Sequence, residues 1–151
     1  MYHWLGNIRW NKVLVASVIF TIISFLIHQL ETVLTLKYYL MPEYFSIWSR
    51  LMMPQTGPPP ISFMLTSILF SFLTGFVLAG FYDLIKDRLP VRRIYRIISF
   101  GDITFSLALV FFTLPTLLLF NLPFGLLFIW LVSTYLILII AGAVFTRILG
   151  K

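Results

Sequence analysis

The sequence predicts an all-α integral membrane four-helix bundle, and three observations predict it. Hydrophobic residues make up 60% of the 151 positions and charged ones 11%, a balance that would leave a water-soluble domain with far too much apolar surface. Four apolar runs are each long enough to cross a hydrocarbon layer about 30 Å thick. Nine of the eleven Lys and Arg residues fall before the first run, between the second and third, or after the fourth. Arg9, Lys12, Lys86, Arg88, Arg92, Arg93, Arg96, Arg147 and Lys151 thus share one side, against Lys37 and Arg50 on the other. The positive-inside bias then places both termini in the cytoplasm. The chain reads as one domain, with spans at about 13–36, 61–82, 100–120 and 124–145, because the aqueous segments are too short to fold separately.

The first span follows Arg9 and Lys12 and runs without a charge from Val13 to Leu30. No small-residue cleavage site follows it, so it reads as a retained signal anchor. With no Gly or Pro before Pro42, the helix can continue to Leu40 while the Lys37 side chain snorkels outward. Ser17, Thr21, Ser24, His28, Glu31 and Thr35 recur at spacings of four, three, four, three and four. That period of about 3.5 keeps them on one helix face, which is expected to point into the bundle. Ser and Thr at such positions can bond to carbonyls of their own helix.

Between the first two spans lies the short outer interfacial segment, Met41 to Pro60. Glu43 to Met53 is expected to form a surface helix anchored by Tyr44, Phe45 and Trp48, and Gly57-Pro58-Pro59-Pro60 a stiff, polyproline-like lead into the next span. In the second span Ser67, Ser71, Gly75 and Ala79 recur every four residues, a stripe that allows close helix packing and predicts a central helix. From Ile103 to Thr146 there is no charge, enough chain for two spans joined at Asn121, Leu122 and Pro123. Pro115 is expected to bend the third span, because it offers no N–H to the Phe111 carbonyl. Asp102 is read as the start of that span, where a carboxylate complements the helix dipole. Asp83 is expected to pair with Arg92, Arg93 or Arg96.

The net charge of +6 does not point to nucleic acid, because the basic residues flank spans, where anionic lipid headgroups explain them. Arg92, Arg93 and Arg96 share one helical face and are the expected headgroup contacts. Zero cysteines exclude disulfides, thiolate metal sites and cysteine nucleophiles. No phosphate-binding loop, zinc-protease motif, nucleophile elbow or dinucleotide fingerprint occurs, so catalysis has no support and no metal or cofactor is expected.

The one candidate polar pocket lies on the outer side and comprises His28, Glu31, Tyr38, Trp48 and Arg50. An ionisable pair inside a span is a functional hypothesis in its own right. His28 and Glu31 could serve as a proton relay, a ligand contact, or the acid and base of a membrane enzyme. A single-ligand haem at His28 is a further option; His3 is expected on the opposite side, so two-histidine ligation within one chain is not available. The structural alternative is a membrane-edge pair bonded to Tyr38, Arg50 or water.

The order His28, Tyr38-Tyr39, Trp48, Arg50 and Met53-Pro54, followed by a small-residue span and a charge-free terminal hairpin, resembles a group of small uncharacterised four-transmembrane bacterial membrane proteins. The resemblance implies a multi-pass protein of a prokaryotic inner membrane and no particular activity. The expected function is that of a non-catalytic accessory or scaffold subunit, packing against lipids and against other membrane protein subunits or as a homo-oligomer. The alternative is a small transporter or a ligand- or lipid-binding protein using the outer pocket.

Overall fold

A computed structural model describes residues 8–55 and 58–150; His3, Gly57 and Lys151 lie outside the described residues. The described chain is helical, with no strand, and four of its helical stretches are long and apolar enough to cross a membrane. It is a multi-pass membrane protein. Helix α1 spans Trp10–Tyr39, α2 Ile61–Ile85, α3 Arg93–Ala108, α4 Leu114–Leu119 and α5 Phe124–Leu149. Helices α3 and α4 belong to one span, joined by a π-turn at Leu109–Thr113.

That π-turn is how the chain accommodates Pro115. The proline falls in the first turn of α4, where its missing N–H removes no necessary bond, and the widened turn before it absorbs the ring. Helix α1 ends at Tyr39, with the Leu40 amide bonded to the Leu36 carbonyl at 3.3 Å. The expected surface helix is shorter and tighter than its sequence implied. A 3-10 segment covers Pro42–Ile47, and Ser49 then turns the chain by accepting the Met52 amide on both its carbonyl and its side chain. At Pro60 the backbone is extended, with φ −69 and ψ 160, which supports the polyproline-like entry into α2.

Helices α1 and α5 occupy the centre, with α2 packed mainly on α1 and α3 on α5. This corrects the expected central position of α2: it packs mainly on α1, and its buried residues, Gly75, Ala79, Gly80, Tyr82 and Asp83, are confined to its second half. The small-residue stripe serves one neighbour only. Gly75 and Ala79 are buried, and a Cβ at Gly75 would come within 2.6 Å of the Phe20 ring on α1. Ser67 and Ser71 are half-buried, and Ser67 spends its hydroxyl on the Phe63 carbonyl at 2.8 Å. Elsewhere around α2, Leu65, Leu69, Phe70 and Val77 face outward, as expected where the solvent is hydrocarbon.

The core is aromatic near the end where α1 starts and α5 finishes. Tyr82, Phe100 and Phe145 are fully buried and pack ring on ring, with centroids 5.1 to 6.0 Å apart. Buried Tyr82 donates its hydroxyl to Thr146 Oγ1 at 3.0 Å. Tyr82→Phe should cost about 1 kcal/mol, the usual net value of such a bond. Denaturation in mild detergent measures it, and unchanged stability would show that this bond does not hold α2 to α5.

Candidate functional site

The inward face predicted for α1 is built largely as its spacing requires. Ser17, Thr21, Ser24 and Thr35 are buried. Ser17 donates to the Val13 carbonyl at 2.6 Å, Thr21 to Ser17 at 2.8 Å, and Thr35 to Glu31 at 2.7 Å, so these hydroxyls are satisfied within their own helix. His28 departs from the expectation: its side chain is 48% exposed and swings outward, while Glu31 stays 11% exposed. The two still meet one turn apart, His28 Nδ1 to Glu31 Oε2 at 3.2 Å.

The five candidate pocket residues do not form one site. Ten residues of helix, roughly 15 Å, separate His28 from Tyr38, so the ionisable pair and the aromatic end of α1 lie at different depths. At that end the Tyr39 ring packs at a tilt against Trp48, centroids 4.9 Å apart, and its hydroxyl accepts the Trp130 indole N–H at 3.3 Å, while Trp48 and Trp130 approach edge-on at 6.4 Å. Trp48 Nε1 is buried without a hydrogen-bond partner among the described residues. Tyr38 lays its hydroxyl against Gly125 and holds Lys37 over its ring at 4.9 Å. Arg50 faces outward and bonds to neither His28 nor Glu31, and Tyr38 does not reach them either. Trp130 and Tyr39 complete the aromatic cluster; the pattern of α1 and the outer segment alone offered no way to include Trp130, which comes from α5.

The strongest polar constellation lies at the basic end. The Asp83 carboxylate is fully buried. Its Oδ2 accepts the backbone N–H of Arg9 at 2.9 Å; its Oδ1 accepts Arg9 Nη2 at 2.7 Å and Lys86 Nζ at 2.8 Å. Arg9 Nη2 also donates to the Leu149 carbonyl at the end of α5. The expected partners Arg92, Arg93 and Arg96 are therefore replaced by Arg9 and Lys86. The reason is topological: the start of α1 lies between the ends of α2 and α5, whereas α3 starts beside α5. Each charge also meets a helix end of opposite sign, carboxylate at the N-terminus of α1 and guanidinium at the C-terminus of α5.

Arg92 and Arg93 face outward, and Arg92 stacks over Tyr95 at 5.6 Å. Arg96 is half-buried and donates to the Pro90 carbonyl at 3.0 Å and the Gly150 carbonyl at 3.3 Å, so part of the expected headgroup face serves the fold. Helix α3 begins at Arg93, ahead of the span start expected at Phe100, and Asp102 consequently lies well past its first turn. The dipole explanation for Asp102 fails on that ground. It faces outward and accepts a hydrogen bond from the Tyr135 hydroxyl at 3.1 Å. Among the described residues no three His, Asp or Glu side chains converge as metal ligands.

Comparison with protein-family models, curated proteins and solved structures finds no match.

Proposed function

We propose that this chain is a non-catalytic accessory or scaffold subunit of a prokaryotic inner membrane, with both termini cytoplasmic, that packs against other membrane proteins. The observation that supports this most is how the interior polarity is used. Ser17, Thr21 and Thr35 satisfy their hydroxyls within their own helix, and Asp83 joins the end of α2 to Arg9 at the start of α1 and to Lys86, so these interior polar groups are already engaged. A solute or ion pathway instead needs free polar groups through the membrane depth. Recognition then falls to the outward faces, with Arg92 and Arg93 available to anionic headgroups.

The absence of native cysteine makes the test direct. A single cysteine in place of outward-facing Leu69 on α2 or Val132 on α5 is cross-linked in native membranes, and the complex is purified in mild detergent. Stoichiometric, position-dependent cross-links to one protein are expected. A monomer that cross-links only to lipid from both faces, or that carries a haem absorption band, would overturn the proposal.

The alternative, a ligand- or lipid-binding protein with an outer pocket, has one observation in its favour: the Trp48 indole N–H, unpartnered among the described residues. Solute binding by the purified monomer that is lost in Trp48→Phe would favour it.

A further inference from the structure

Asp102 is the one carboxylate whose surroundings the bundle does not explain. Its neighbour Gly101 packs on Ile139, and Phe105 on Tyr135 with ring centroids 5.0 Å apart, which fixes the depth of this part of α3 against α5. Along α5, Ile139 stands about 12 Å of helix from Arg147, at the basic end, and about 14 Å from Trp130, in the aromatic cluster at the other. On its own span Asp102 lies six residues, about 9 Å, past Arg96 and 17 residues, about 26 Å, before Leu119, so it sits inside the membrane-spanning part of the bundle on the side of the basic end, and it faces outward. Ser106, one turn further on, also faces outward, while Ile98, Ile103 and Val132 supply an apolar surround.

A carboxylate at that depth, on a lipid-facing surface, is strongly unfavourable unless something complements it. The Tyr135 hydroxyl donates one neutral hydrogen bond, which leaves the charge and the other acceptor sites uncompensated. No Lys or Arg of the described chain contacts it. A second copy would not bring a free cation to that depth either: no Lys or Arg occurs between Lys12 and Lys37, from Ile61 to Ile85, or from Ile97 to Thr146, and Arg96, about 9 Å nearer the basic end of α3, is engaged with the Pro90 and Gly150 carbonyls. Two copies meeting on this face would instead bring two carboxylates together.

We infer that the α3–α5 face around Asp102 docks a transmembrane helix of a different protein that carries a Lys or Arg within its span, at the level of Asp102. The inference rests on the subunit function proposed above and names the chemistry of the partner. The basic side chain pairs with the Asp102 carboxylate, the Tyr135 hydroxyl holds that carboxylate in place, and the flanking apolar residues pack on the incoming helix.

The test uses the full chain, labelled with a donor fluorophore at Asn121→Cys and reconstituted in phosphatidylcholine vesicles. Synthetic Leu/Ala transmembrane helices carry an acceptor and either Lys or Leu at the level of Asp102. The Lys helix is expected to associate roughly tenfold more tightly than the Leu helix, the scale of polar contacts between helices in lipid. Asp102→Asn should abolish that preference without changing association of the Leu helix, and Asp102→Glu should retain it. Equal association of the two helices, or a Lys preference that survives Asp102→Asn, would overturn the inference. So would self-association of the chain that Asp102→Asn abolishes. Failure here leaves the native-membrane cross-links to be judged separately, because a subunit can assemble through α2 without using Asp102.

Discussion

Asp83→Asn is expected to be among the most destabilising single substitutions in this chain, by about 3 kcal/mol in mild detergent. The carboxylate is fully buried and carries four roles at once: it accepts the first amide of the α1 entry, the Arg9 guanidinium and the Lys86 ammonium, and through Arg9 it reaches the last turn of α5. The amide keeps one acceptor but removes the charge, so Arg9 and Lys86 are left close together with nothing to neutralise them. The lower end of the range for broken buried pairs applies because the Arg9 side chain is 28% exposed and can recover some water. Arg9→Ala should cost less for the same reason, since Lys86 still faces the carboxylate. The double variant should be more stable than the sum of the two losses predicts, the mark of a shared interaction. Denaturation of the four proteins in one detergent measures this. Wild-type stability for Asp83→Asn, or strict additivity of the pair, would remove the clasp from any account of how the spans are held together.

The fold was legible in the sequence where one physical rule acted along one helix. Hydrocarbon thickness set the number of spans, and a 3.5-residue repeat of polar residues marked the inward face of α1, where Ser17, Thr21, Ser24 and Thr35 are buried. What escaped depended on which helices meet. The stripe through Gly75 and Ala79 announces a close contact but not its partner, and α2 finds that partner mainly in α1, at the edge of the bundle. His28 shares the spacing of its seam yet turns outward, because a long side chain can leave the interface while its Cα stays on it, with Ser24 and Thr35 buried on either side. Asp83 sat within reach of several cations by sequence, and only the position of the α1 entry between α2 and α5 selects Arg9. Asp102 was misread for a simpler reason. The helix starts at Arg93 in charged sequence that hydropathy assigns to the loop, so an apparent first-turn residue is in fact deep along α3.

The same chemical change should have opposite effects at two glycines, and this tests the helix order directly. A Cβ on Gly142 would lie 2.8 Å from the backbone carbonyl oxygen of Ile97, and the obstacle is main chain, which cannot rotate away. Gly142→Ala therefore requires α3 and α5 to separate, at a cost typical of overpacking, about 1–3 kcal/mol, against which alanine's helix preference returns up to about 1 kcal/mol. The net effect is destabilising, and Gly142→Leu should be worse. A Cβ on Gly80 in α2 meets nothing within 4 Å, so Gly80→Ala should gain most of that helix preference and melt at or above wild type. The contrast follows from architecture: α5 is a central helix with α3 pressed against its Gly142 face, while α2 is peripheral and uses Gly75, not Gly80, for its close approach to α1. If Gly142→Ala proved as stable as Gly80→Ala, α3 would not approach α5 through Gly142. The depth assigned to Asp102 beside Ile139 would then lose its support as well, since one contact surface fixes both.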